Sequence, residues 1–89
     1  MVVVQADHFN LSQLGTVVVC PLTSNTDRAE LPGNVFIPAS ASGLAKDSVA
    51  NATQITTVDR ASLTPEVARL PDYLLADLDV GIRIVLGLR

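Results

Sequence analysis

Thr23, Ser24 and Asn25 follow the apolar run Thr16–Pro21 (TVVVCP) and put two hydroxyls and an amide at the end of one strand. Short hydroxyls in such a place do one of two things. They bond nearby backbone groups and form a turn, or a rigid element holds them as donors toward a cleft. By residue type alone the turn is the ordinary outcome. Gln54 sits among polar neighbours and has the same two readings. His8 beside Asp7 offers acid–base chemistry, although a turn-rich loop usually leaves such a pair solvated. Other chemistries lack their parts. His8 is the sole histidine, Cys20 the sole cysteine, and no carboxylates have the spacing of a cage, so neither a metal site nor a nucleophilic triad is expected. The glycines are isolated, which excludes a phosphate-cradling loop.

The elements that must position these groups can be read from periodicity. Val2–Gln5 reads as a buried strand, Ala6–Gly15 as a loop and Thr16–Leu22 as a second apolar strand, because β-branched residues favour a pleat. Ser24–Gly33 is polar with a Pro-Gly end, hence a loop, and Asn34–Pro38 is a third strand. Ala39–Lys46 is small and turn-like. Ser48–Asp59 reads as a strand of imperfect alternation, with Asn51 and Thr53 on the side of Val49 and Ile55, so part of it lines something polar. Thr64, Pro65 and Glu66 read as a turn and short strand. From Asp72, the residues Leu74, Leu75, Leu78, Ile82, Val85 and Leu86 recur at spacings of three and four, which predicts an amphipathic helix ending near Gly87. A glycine inside a helix costs about 1 kcal/mol relative to alanine, so Gly81 is expected to allow close packing.

Composition bounds the rest. Eighty-nine residues, 48% hydrophobic and 17% charged, predict one small domain over 1–89 with an aliphatic core. That apolar excess on so short a chain predicts a face covered by a second copy. The net charge is −3, Lys46 is the only lysine, and the arginines (28, 60, 69, 83 and 89) are scattered. This excludes a broad basic face for nucleic acid and leaves room only for a local channel. Cys20, inside the valine run, reads as a buried small hydrophobe. No basic leader or membrane-length apolar run is seen, which predicts a cytoplasmic protein without a membrane segment.

The order of motifs adds a resemblance. PLTS (21–24), GLAKDSVA (43–50), QITTVDRASL (54–63) and GIRIVLGL (81–88) together resemble the MazF/PemK-like toxins of type II toxin–antitoxin systems, throughout the chain. The resemblance implies a mainly β SH3-like barrel with a C-terminal helix, a homodimer and a cognate antitoxin as partner. It implies sequence-selective cleavage of single-stranded mRNA by 2′-hydroxyl attack, with no metal or cofactor. In that scheme Thr23 is the catalytic threonine, Ser24 a neighbouring donor, Leu31 and Pro32 border the RNA, and Gln54 lies near a base. Where relatives often have QIRT, this chain has Gln54-Ile55-Thr56-Thr57, which removes a basic group. Relatives also begin with a further strand, a glycine-rich loop and an Arg-Arg-Pro tract carrying the principal catalytic arginine. That segment would fall ahead of Met1, so an N-terminally shortened domain with its first strand missing is expected. The rival expectation is a non-catalytic barrel that binds antitoxin or poisons a protein target such as DNA gyrase.

Overall fold

In the computed structural model, which describes residues 1–63 and 70–88, six strands and three helices follow one another along the chain. The strands are β1 (Val2–Val3), β2 (Thr16–Cys20), β3 (Leu22–Thr23), β4 (Val35–Ile37), β5 (Ser48–Ala50) and β6 (Thr56–Asp59). The helices are α1 (Asp7–Asn10), α2 (Ala39–Ser42) and α3 (Asp72–Leu86), with 3-10 turns at Thr26–Glu30, Ala52–Gln54 and Arg60–Ser62. The strands make two antiparallel sheets, ordered β1-β2-β6 and β3-β5-β4. The fold is mainly β with a C-terminal helix.

The valine run centres the first sheet: Thr16 pairs with Asp59, Val17 with Val58 and Val18 with Thr57, while Val2 pairs with Cys20 on the other edge. The run does not continue to Leu22 as its apolar character suggested. Pro21 has no N–H to give a ladder and its ring fixes φ, so the chain turns a corner there and leaves one sheet for the other. Ser48–Asp59 is likewise two strands rather than one. Asn51 donates its backbone N–H to Pro21 O at 2.9 Å, and the segment folds into the Ala52–Gln54 turn before re-entering the first sheet as β6. The loops Ala6–Gly15, Ser24–Gly33 and Ala39–Lys46 carry α1, a 3-10 turn and α2 respectively. The expected turn at Thr64–Glu66 lies outside the described residues.

The core gathers Val2, Cys20, Ile37, Ala50, Ala52, Leu74 and Leu78, with Leu22, Val35, Leu75, Ile82 and Val85 packed against it. α3 therefore presents the face its spacing predicted, except that Leu86 is exposed. The helix ends on Gly87 at φ +69°, where Leu88 N–H reaches back to Arg83 O at 2.9 Å, a left-handed cap that glycine takes without strain. Gly81 packs as expected. A side chain there would overlap the Gly33 carbonyl oxygen, so two glycines let α3 and the approach to β4 touch backbone to backbone.

Cys20 is fully buried. Burial pushes its thiol up to about 11, with the N-terminal ammonium pulling weakly the other way. It is a packing residue, as the valine context implied.

Candidate functional site

β5 is the middle strand that sets the geometry of the second sheet. Thr23 pairs with Val49, which pairs with Phe36; one step along, Leu22 pairs with Ala50 and Ala50 with Val35. Leu22, Ala50 and Val35 belong to the core packed by α3. Residues paired across a sheet share a face and successive residues alternate, so Thr23, Val49 and Phe36 project from the opposite face, where Val49 at the centre is fully buried and Phe36 is exposed. The threonine is half-buried and its hydroxyl oxygen accepts the Asn25 N–H at 3.2 Å. Asn25 in turn caps the Thr26–Glu30 turn, its side chain accepting from Asp27 N at 3.2 Å. The local turn is thus present, on the face of the sheet away from α3. A hydroxyl that accepts one bond keeps its own proton to donate.

Ser24 follows and is exposed, as are Leu31 and Pro32 beyond the turn and Gln54 at the end of the Ala52–Gln54 turn. Two asparagines bring these segments together. Asn34 donates through Nδ2 to Arg28 O at 3.0 Å and to Asn51 Oδ1 at 2.9 Å, and its Oδ1 accepts from Ala52 N at 2.9 Å. Asn51 bonds Pro21 O through its N–H and accepts the Gln54 N–H at 3.0 Å. The Leu31–Pro32 loop and the Gln54 turn therefore meet at one end of the sheet. Thr23 lies two residues beyond Pro21, about 7 Å along the strand.

The Asn34–Asn51 pair was not singled out by residue type. Its one legible signal was Asn51 on the apolar side of an alternating strand.

Charge at this site is sparse. Arg28 is exposed in the turn between Asp27 and Glu30, and its guanidinium donates no hydrogen bond among the described residues. Arg60 is committed elsewhere, donating to the carbonyls of Leu14 (3.0 Å), Asn10 (2.9 Å) and Phe9 (3.3 Å), and so it clamps the α1 loop onto the end of β6. His8 lies on that clamped loop, edge-on to Phe9 with ring centroids 5.3 Å apart, and is exposed. Among the described residues no group of three or more His, Cys, Asp or Glu side chains is placed to hold a metal ion.

Two hollows lie away from Thr23. One, of about 420 Å³, runs between α3 and β4 and is lined by Phe36, Val80, Gly81 and Ile84 among others. The second, of about 270 Å³, is lined by residues of the 3–7 segment and by Leu75, Leu78 and Asp79 of α3. Thr23, Ser24, Leu31, Pro32 and Gln54 line neither. No helix among the described residues is long and apolar enough to cross a membrane.

Comparison with known proteins places this fold. The family described as PemK-like, MazF-like toxin of type II toxin–antitoxin system matches residues 1–86. Endoribonuclease MazF6 of Mycobacterium tuberculosis is 44% identical over 88 residues, spanning 99% of this chain and 77% of that protein. Endoribonuclease EndoA of Bacillus subtilis is 34% identical over 73 residues, 82% of this chain and 63% of its own. Among solved structures, the Mycobacterium tuberculosis toxin MazF-mt6 superposes with a TM-score of 0.86 at 19% identity, covering 99% of this chain and 85% of that one. An endoribonuclease in complex with its cognate antitoxin, from a mycobacterial species, superposes with a TM-score of 0.81 at 22% identity over 98% of this chain and 79% of its own. A family match that runs nearly end to end, a relative of this identity across the chain, and two small antiparallel sheets with a C-terminal helix agree: the chain belongs to the PemK-like, MazF-like toxins of type II toxin–antitoxin systems.

Proposed function

We propose that this chain is a toxin that cleaves single-stranded RNA, with Thr23 at the reacting phosphate and Ser24, Leu31, Pro32 and Gln54 along the bound strand. The observation that carries this reading is the meeting of an apolar loop and an amide-bearing turn at one sheet end, with a half-buried threonine about two residues along the adjoining strand, in a chain whose relatives are endoribonucleases. Unpaired RNA is held through exposed bases, which apolar side chains such as Leu31 and Pro32 can pack against and an amide such as Gln54 can read.

The chemistry is internal to the RNA. The ribose 2′-hydroxyl loses its proton and attacks the adjacent phosphorus, the bond to the 5′-oxygen breaks, and that oxygen takes up a proton. The products are a 2′,3′-cyclic phosphate and a 5′-hydroxyl. Negative charge grows on the non-bridging oxygens on the way, and a fixed donor such as the Thr23 O–H stabilises it more in the transition state than in the ground state.

The partners follow from the surface and the family. A second copy of the chain covers part of the apolar surface that includes Phe36, Val80 and Ile84. A cognate antitoxin is the second protein partner, and the cytoplasm, where mRNA is found, is the place of action.

The test is incubation of the purified protein with a long single-stranded RNA in EDTA. Discrete fragments ending in 2′,3′-cyclic phosphate are expected. Intact RNA together with retained antitoxin binding would instead favour a non-catalytic module.

A further inference from the structure

We infer that Asn34 is a positioning residue: it locks the spacing between the loop carrying Leu31 and Pro32 and the turn carrying Gln54, and so governs how firmly an RNA strand is held. The inference rests on the RNA site proposed above.

The Asn34 side chain joins its own loop, at Arg28, to the segment 51–52 some seventeen residues on. Both Nδ2 protons are used, one on Arg28 O and one on Asn51 Oδ1, and Oδ1 takes the Ala52 N–H. The orientation of the amide is fixed, because Ala52 N–H needs an acceptor and the other two contacts need donors. Asn34 also donates its own N–H to Leu31 O at 3.1 Å. From Leu31 to Gln54 the path is therefore Asn34 and Asn51, each hydrogen-bonded to the next.

The remaining hydrogen bonds of the 25–33 segment, among the described residues, close on residues 23–34. Asn34 is thus the hydrogen-bonded link from that loop to the β5 side. Asn51 is only 8% exposed, and in so dry a place a broken bond is not readily replaced by water. The two candidate base-contacting groups sit at opposite ends of this link. Thr23 is held separately, by its pairing with Val49 and by Asn25. Cutting the link should loosen RNA binding and leave the chemical step nearly intact.

The test compares the wild type with Asn34→Ala, Asn51→Ala and the double variant, following kcat and KM for a single-stranded RNA and amide hydrogen exchange in each protein. Asn34→Ala is expected to raise KM about tenfold with kcat nearly unchanged, Asn51→Ala to raise it less because the Ala52 N–H bond to Asn34 Oδ1 remains, and the double to be no worse than Asn34→Ala, because the Asn51 contact is already lost in it. Exchange should quicken at Leu31, Asn34 and Gln54 together. Val17→Ala, which thins packing in the other sheet, should lower the melting temperature without moving KM. If Asn34→Ala does not fold, Asn34→Ser replaces it, since its side chain is too short to span to Arg28 and Asn51.

Additive effects, a loss of kcat alone, or faster exchange confined to one segment would overturn the inference. If the wild type cleaves no RNA, the proposed function fails, and the exchange data decide the positioning role alone: joint quickening supports it and separate behaviour refutes it.

Discussion

Thr23→Ala is expected to slow RNA cleavage by about a hundredfold or more while the protein stays folded. The size follows from the chemistry: removing one fixed hydrogen-bond donor from a site of growing negative charge costs about 3 kcal/mol in the transition state. The threonine is suited to that task because of what holds it. Its oxygen already accepts Asn25 N–H, so one lone pair is fixed and the O–H is left to donate away from the turn. Leu22, one residue earlier, is packed against the core, which anchors the strand from behind. The loss of stability should be small, about 1 kcal/mol, because the site is half-exposed and water can replace the lost acceptor. Thr23→Ser, which keeps the hydroxyl, should recover much of the rate, and Ser24→Ala, at an exposed neighbour, should cost far less. Initial rates on a fluorogenic RNA, set beside melting curves, separate these outcomes. Equal rates for Thr23→Ala and the wild type would remove Thr23 from the mechanism.

The second large effect is structural. In a free helix Gly81→Ala gains about 1 kcal/mol, yet here it should destabilise the protein by about 3 kcal/mol. The added methyl would run into the Gly33 carbonyl, which is backbone and cannot rotate away. Gly33 cannot yield easily either: its φ is +91°, and a Cβ there would lie 2.7 Å from Val85 Cγ2 and 2.9 Å from Gly81 O. α3 must then lift off β4, and Leu74 and Leu78 move with it. For a domain of this size the melting temperature should fall by roughly 10–20 °C. A melting curve that matches or exceeds the wild type would mean that α3 does not seat on Gly33.

These two residues differ in how they could be read. α3 was legible because fifteen residues repeat an apolar face, and a glycine inside such a pattern asks for a close contact. The sequence could not say that the contact was Gly33, some fifty residues earlier. β2 was legible from its β-branched run, but the same apolar character hid the corner at Pro21, where the missing N–H outweighs hydrophobic continuity. α1 and α2, at four residues each, are too short to show a helical period. Ser48–Asp59 misled because a buried asparagine network resembles, at the level of alternation, a strand with a polar side. The candidate site divides in the same way. Thr23 stood out as a hydroxyl at a strand end and Gln54 as an amide among polar neighbours, while Leu31 and Pro32 entered through family resemblance. Asn34 and Arg60 were silent, since their partners are backbone carbonyls or distant side chains that only the folded chain brings near.

Whether RNA lies along Thr23 and Gln54 is read by an NMR titration of the labelled protein with a short single-stranded RNA bearing 2′-deoxyribose at the reacting position, so that it binds without being cut. Saturable shifts are expected at the amides of Thr23, Ser24, Leu31, Asn34 and Gln54, all reporting one dissociation constant. Shifts confined to the α3–β4 groove or to the α1 loop, with Thr23 and Gln54 unmoved at saturation, would contradict that placement.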